Sequence, residues 1–268
     1  YGENIIKSMV GKLEDFWDDY RLDVDSKFEF FYSRKSKTRK LLHLLFYKDS
    51  CNKQERKRIY ILRKNQILEL IGYLSKGGSF NFSMIKEILK DSQDYFLPLQ
   101  LGIEYDKKIE KIKVYFSNIH YLKDSTRAIK LAKVIMRMLN IEDNLDSDIL
   151  TGEGIDSLGI DFLRNGTCDF KIYTFFHSKF DKSSILRTVK EQFKKYRIRL
   201  ADLKYLSEKI ANAHYSEWGF LYRISRSGRI SSVKFWYRLD QRYPISFNYN
   251  NYNELRISYY VCDQQALG

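Results

Sequence analysis

Paired strand-like segments with helical stretches between them constrain the fold of this chain more than any other feature. Residues 27–33 and 40–48, 97–105 and 109–117, 157–164 and 168–176, 218–225 and 231–239, and 245–249 with 254–261 all read as strands. Short polar turns join the members of each pair, among them Asn165-Gly166 and Ser227-Gly228. Helical periodicity occupies 5–20, 60–74, 126–139, 184–196 and 202–210. Within 126–139, Ile129, Val134, Ile135 and Met138 fall along one face, and 184–196 repeats this with Ile185, Val189 and Phe193.

Five antiparallel hairpins separated by helices predict an α+β fold. The expected architecture is a ten-stranded antiparallel β-barrel of repeated hairpins surrounded by α-helices. Closure would remove exposed strand edges, which otherwise invite aggregation. An open sheet layered with helices is the alternative. Only two prolines occur in 268 residues, so no proline-rich linker divides the chain, and residues 1–268 are expected to form a single domain.

A net charge of +13 calls for an anionic partner: nucleic acid, an acidic lipid surface or a phosphorylated small molecule. Much of that charge lies in the runs 34–39 and 53–64, which suit solvated loops and helix faces. With 21 Tyr and 18 Phe, aromatic residues exceed what an ordinary core requires. Cys51, Cys168 and Cys262 form no CxxC pair, and the four histidines are scattered, so no zinc or disulfide framework is expected. No apolar run approaches the roughly 18 residues of a membrane helix and no signal-peptide pattern is present, which predicts a cytoplasmic protein without a membrane partner.

The returning strands share a pattern. Lys113-Val114-Tyr115 recurs as Lys171-Ile172-Tyr173 and as Lys234-Phe235-Trp236, with Arg256-Ile257-Ser258 a degraded copy. Residues i and i+2 of a strand share a face, so each cation points the same way as its aromatic. If that face is enclosed, several cations converge without solvent, which is unfavourable until an anion compensates them. If it faces water, the lysines are ordinary surface residues.

Four further segments make the chain resemble the ABBA-type prenyltransferases, closest to the cyanobactin peptide prenyltransferases of ribosomal-peptide biosynthesis. Ser79-Phe80-Asn81-Phe82-Ser83 is similar to that family's Ser-Phe-Asp-Phe-Ser segment, and Gly102-Ile103-Glu104 to its Gly-Ile-Asp strand. Leu158-Gly159-Ile160-Asp161-Phe162 with Asn165-Gly166 resembles its Gly-Phe-Asp-Phe hairpin, and Leu255-Arg256-Ile257-Ser258-Tyr259-Tyr260 its closing strand. The resemblance implies an enzyme that moves a dimethylallyl or geranyl group from its diphosphate to a side chain of a peptide, expected to be macrocyclic. It implies Mg²⁺ accompanying the diphosphate, with no carboxylate cage for the metal in the sequence.

The resemblance also implies roles. Lys113, Tyr115, Lys171 and Tyr173 would grip the diphosphate, with Lys234 and Arg256 adding charge. Trp236 and Tyr260 would shield the allylic cation through cation–π stabilisation. Glu29 falls where the family has a carboxylate that receives the acceptor's proton, and aromatic neighbours would raise its proton affinity. His43 lies near the place of a family arginine, a place that Arg39 could also fill. Gly219 would widen the donor chamber toward a ten-carbon chain.

Three rivals compete with this reading. Asp18-Asp19-Tyr20-Arg21-Leu22-Asp23 superficially suggests the aspartate-rich metal motif of all-helical terpene synthases, and the many strands oppose it. A nucleic-acid-binding protein would account for the charge and the aromatics, yet the basic runs hold no interleaved aromatic beyond Tyr60. A catalytically inactive barrel acting as a binding protein is the third, opposed by two intact Lys-x-Tyr copies.

Overall fold

The structure is a computed structural model that describes 24–32, 39–46, 53–74, 80–92, 95, 97, 99–105, 109–117, 125–145, 149, 155–174, 182–195, 217–238, 245–249 and 255–261. The expected helices at 5–20 and 202–210, and the Asp18–Asp23 run, lie outside the described residues. Ten strands are present: β1 Val24–Tyr32, β2 Arg39–Phe46, β3 Leu99–Tyr105, β4 Ile109–Phe116, β5 Ile155–Leu163, β6 Cys168–Thr174, β7 Glu217–Ile224, β8 Ile230–Arg238, β9 Ile245–Tyr249 and β10 Leu255–Val261. Four helices are described: α1 Lys53–Leu74, α2 Phe82–Asp91, α3 Ser125–Met138 and α4 Lys182–Lys195.

The strands form one sheet in the order β8-β7-β6-β5-β4-β3-β2-β1-β10-β9, and every described pairing is antiparallel. Each expected hairpin is therefore a real one. The last hairpin attaches through β10 to β1, which leaves β8 and β9 at the two ends of the hydrogen-bonded order. No ladder pairing joins β8 to β9 among the described residues, so the described sheet is open at these ends, and with its helices it makes a mixed helix and antiparallel-sheet fold.

Alternation fixes which face meets the helices. Leu99, Leu101 and Ile103 of β3, Ile112, Val114 and Phe116 of β4, and Leu158, Ile160 and Phe162 of β5 are all buried. They form one core with Ile67 and Ile71 of α1, Ile85, Ile88 and Leu89 of α2, Leu131 and Ile135 of α3, and Ile185 and Val189 of α4. A side chain so buried contributes about 1.5–3 kcal/mol, which fixes both helix placement and strand register. Polar tethers add orientation: the Tyr222 hydroxyl donates to Gln192 Oε1 of α4 at 3.5 Å.

Two local differences from the sequence expectation have clear causes, and the end of α3 falls where expected. Helix α1 starts at Lys53 rather than residue 60, because the basic run supplies a solvated helical face with Gln54, Lys57 and Arg58 exposed. Helix α2 has no counterpart in the sequence reading. Asn81 caps it, its side-chain oxygen accepting from the Met84 N–H at 3.1 Å, and Ile85, Ile88 and Leu89 form the buried face. Helix α3 ends in a left-handed Asn140 (φ 53°), with Ile141 N–H donating to the Met136 carbonyl at 2.8 Å and Asn140 N–H to that of Arg137 at 3.1 Å. Those two bonds are a Schellman termination.

The β5–β6 and β7–β8 turns use the same geometry. Gly166 N–H donates to the Leu163 carbonyl and Gly228 N–H to that of Ser225, each at 3.0 Å, and both glycines have positive φ. This is a tight turn followed by a left-handed glycine, which adds the bulge residue that a right-twisted hairpin accommodates. The second turn also docks onto the segment after α3. Glu142 N–H donates to the Arg226 carbonyl at 2.9 Å, and a Cβ built at Gly228 would stand 2.2 Å from the Glu142 carbonyl oxygen. Gly228→Ala combines left-handed strain with a backbone clash and should lower stability by about 2–4 kcal/mol. A urea unfolding midpoint unchanged from the parent protein would contradict this.

Candidate functional site

The face of the sheet turned away from the helices is polar, and in its centre it is also buried. Directly paired residues of antiparallel strands share a face, so the described registers generate the layout. One row runs Lys27, His43, Gly102, Lys113, Asp161. The next runs Tyr260, Glu29, Leu41, Glu104, Lys111. On the other side of the first lie Gln100, Tyr115, Gly159, Lys171, Arg223, Ser232, and then Ser157, Tyr173, Leu221, Lys234. Trp236 pairs with Gly219, and Arg256 sits two residues before Ser258, which shares the Phe31 position beside Glu29.

Every expected site residue thus occupies a register position on one face: Glu29, His43, Lys113, Tyr115, Lys171, Tyr173, Gly219, Lys234, Trp236, Arg256 and Tyr260. The side chains of Glu29, His43, Trp236, Arg256 and Tyr260 lie outside the described residues, so for these only the backbone position is established. The three Lys-x-aromatic copies are staggered rather than level. The lysine of each copy shares a row with the aromatic of the preceding one: Tyr115 with Lys171, and Tyr173 with Lys234. Strand stagger of this kind moves equivalent residues by one pair per hairpin.

At the centre, Lys113 and Lys171 are 6% and 5% exposed, and the partner that makes such burial tolerable is Asp161, 0% exposed. Asp161 Oδ2 accepts from Lys171 Nζ, and Lys111 Nζ stands 3.0 Å from the same oxygen. Glu104 Oε2 lies 3.3 Å from Lys113 Nζ and 3.7 Å from Lys111 Nζ. Among the described residues, three ammonium groups therefore meet two carboxylates in a largely buried region. Burial alone would push the Asp161 carboxyl up, but Lys171, Lys111 and Lys113 together hold it well below the usual carboxylate range. For Lys171, burial outweighs the attraction of Asp161, and repulsion from Lys111 and Lys113 adds to burial; its pKa falls to about 8.

Beside this cluster the rings of Tyr115 and Tyr173 meet edge to face with centroids 5.8 Å apart. Both lie over Gly159, where a Cβ would approach each ring to 3.0 Å. Gly102 plays a similar part on β3: a Cβ there would stand 3.2 Å from Lys113 Cβ and 3.4 Å from the Tyr115 ring. The outgoing strands thus carry Gly-Ile-acid (Gly102-Ile103-Glu104 and Gly159-Ile160-Asp161) where the returning strands carry Lys-x-Tyr. Glycine makes room for the stem and ring, and the acid two residues on neutralises the head group.

These four residues were not assigned by sequence reasoning, although both tripeptides were visible as a repeat. Arg223 was also missed. It pairs in register with Lys171, its Nη2 is 3.6 Å from Asp169 Oδ2, and its Nε is buried with no hydrogen-bond partner.

The donor set does not fit a divalent metal held by the protein. The two carboxylates at the centre are already engaged by lysine ammonium groups, and a cation there would meet three like charges. Among the described residues no cluster of three or more His, Cys, Asp or Glu side chains could hold a metal ion. Nor is any described helix long and apolar enough to cross a membrane.

Comparison with solved structures accords with this layout. The chain superposes on 5-dimethylallyltryptophan synthase from Streptomyces coelicolor with a TM-score of 0.64 at 11% identity, over 91% of this chain and 82% of that one. The complex of PriB with product diphosphate gives 0.58 at 12% identity, over 88% and 79%. AnaPT from Neosartorya fischeri gives 0.54 at 12% identity, over 88% and 77%. No family model and no curated protein sequence matches the chain. The chain has the fold of the ABBA-type aromatic prenyltransferases.

Proposed function

We propose that the buried polar face binds an isoprenyl diphosphate and that the protein transfers the isoprenyl group to a side chain of a peptide. The observation that carries this reading is the burial of Lys113 and Lys171 on one face with Tyr115 and Tyr173. Two of the similar structures hold relevant ligands, one DMASPP with Trp and the other product diphosphate. The fold supports enclosure as well. Strands β8 and β9, at opposite ends of the ladder, run close together, which suits a ten-stranded barrel forming a single domain.

In this reading the donor's carbon–oxygen bond breaks and its electron pair stays on the diphosphate oxygen. Lys113 and Lys171 stabilise the growing charge through charge-assisted hydrogen bonds, with Tyr115 and Tyr173 donating from their hydroxyls. Lys234 and Arg256 add positive charge. Trp236 and Tyr260 line the chamber where the allylic cation is kept from water, with His43 at its β2 wall and Gly219 leaving room for a ten-carbon donor. The acceptor then bonds the cation and loses a proton to Glu29, whose backbone position is in the same row as Glu104. Mg²⁺ is expected to accompany the diphosphate rather than a protein cage, since no described cluster of carboxylates could hold it, and no step is routed through it.

Incubation with dimethylallyl and geranyl diphosphates, each with free tryptophan or a panel of macrocyclic and linear peptides, tests the reading by mass spectrometry. The expected result is a gain of one isoprenyl unit on a peptide, and parallel reactions with Mg²⁺ or EDTA test whether the metal accompanies the diphosphate. Loss of diphosphate binding altogether, with tight salt-dependent RNA binding instead, would favour the nucleic-acid reading. Binding without transfer to any acceptor would favour an inactive barrel.

A further inference from the structure

Asp161 is the most deeply buried charge of the cluster, and only one of its two oxygens is used. Oδ2 holds Lys171 and Lys111, while Oδ1 is buried with no hydrogen-bond partner among the described residues. A carboxylate whose sole task was to support the lysines would be expected to satisfy both oxygens, because an unmade buried hydrogen bond costs about 1–3 kcal/mol. One of the two lysines it holds, Lys171, is among those the diphosphate reading assigns to the donor. Resting on the diphosphate reading above, we propose that Asp161 is a positioning residue that acts as an internal competitor of the diphosphate, holding Lys171 when the donor is absent and yielding it when the donor binds.

Charge balance and register make the exchange feasible. Among the described residues, two carboxylates face three lysines, and this pairing keeps the buried ammonium groups tolerable when the site is empty. An arriving diphosphate brings several negative charges, and the Lys171 head must turn from Asp161 toward it. Lys111 Nζ stays 3.0 Å from Asp161 Oδ2, so Asp161 keeps a counter-ion during the exchange. Glu104 has the same relation to Lys113 and Lys111 at the cluster's edge, at longer range. The competition weakens donor binding and, in return, gives Lys171 a partner to return to when product diphosphate leaves. Release of a tightly held product limits many transferases, so an internal anion of this kind favours turnover.

The test uses the full chain and inorganic diphosphate, followed by calorimetric titration and thermal unfolding. Asp161→Asn keeps the shape and removes the competing charge. It should bind diphosphate about 10-fold more tightly than the parent protein. Its unfolding temperature without ligand should fall, and diphosphate should raise it by more than in the parent. In a transfer assay kcat and KM should fall together, as expected when product release slows. Glu104→Gln, a milder change should Asp161→Asn not fold, should tighten diphosphate binding about 3-fold.

A folded Asp161→Asn that binds diphosphate equally or more weakly would overturn the proposal, showing that Asp161 orients the lysines for the ligand. If Asp161→Asn does not fold, unchanged or weaker binding by Glu104→Gln overturns it. A parent protein that does not bind diphosphate at all would overturn the diphosphate reading together with this one. Binding by the parent with no gain in the variants overturns this inference alone.

Discussion

Lys171→Met should weaken diphosphate binding about 100-fold while leaving the unfolding temperature unchanged or slightly raised. Charge-assisted bonds to a buried phosphate group account for the first part, since truncating one buried charged partner costs about 2–5 kcal/mol of binding. The second part follows from a comparison of two effects. Removing one member of a buried ion pair ordinarily destabilises by about 3–5 kcal/mol, because the other charge is stranded. Here Asp161 is not stranded, since Lys111 stays 3.0 Å from the same oxygen. Meanwhile the Lys171 charge is itself disfavoured in the fold, by burial first and by Lys111 and Lys113 next, with Asp161 only partly offsetting them. A methionine fills the stem's volume without that charge.

The same group sets a pH dependence with a definite sign. The folded pKa of Lys171, about 8, lies below the ordinary 10.5, so between these values the unfolded chain binds more protons. Its contribution to stability therefore rises as pH increases from 8 toward 10.5, while diphosphate affinity falls as the ammonium is lost above 8. Binding and stability should move in opposite directions across that window, and Lys171→Met should flatten both profiles. Calorimetric titration and thermal unfolding from pH 7 to 10 check this. A parallel decline of both in the parent would place the titrating group elsewhere.

The hairpins were legible in the sequence because each strand alternates and each turn carries polar or glycine residues. All five came out paired as expected, with strand ends shifted by a few residues where apolar segments such as Ile155 extend the ladder. Helix α2 was not legible, because its apolar face rests on three residues over ten positions and the Asn81 cap sits inside a stretch read as a motif. The common face of Lys113 and Tyr115, or of Lys171 and Tyr173, followed from strand period alone. Their neutralising partners did not. A sequence shows that Asp161 and Asp169 both precede Lys171, but only the register of β4 on β5 puts Asp161 opposite Lys113. Nor does spacing reveal that equivalent lysines are staggered, since stagger belongs to the sheet and not to any one strand.

Gly159→Val tests the link between that stagger and the site. The stagger places Gly159 between Tyr115 on β4 and Lys171 on β6, with Tyr173 one pair further along β6. Both rings cross the space that a side chain at 159 would fill, each within 3.0 Å of a Cβ. A valine is compatible with the strand backbone and raises strand propensity, so on an open face the change would be neutral or favourable. Here the rings must move. Overpacking of this kind costs about 1–3 kcal/mol, and displacing both phenols removes two hydrogen-bond donors from the proposed diphosphate at once. The expected outcome is a lower unfolding temperature and diphosphate affinity weakened at least about 10-fold, with the far-ultraviolet circular dichroism of the parent retained. Double substitution with Tyr115→Ala should recover part of the lost stability, because it vacates the contested space, while binding stays weak. Recovery of stability together with full binding would show that the tyrosines pack the face without touching the diphosphate.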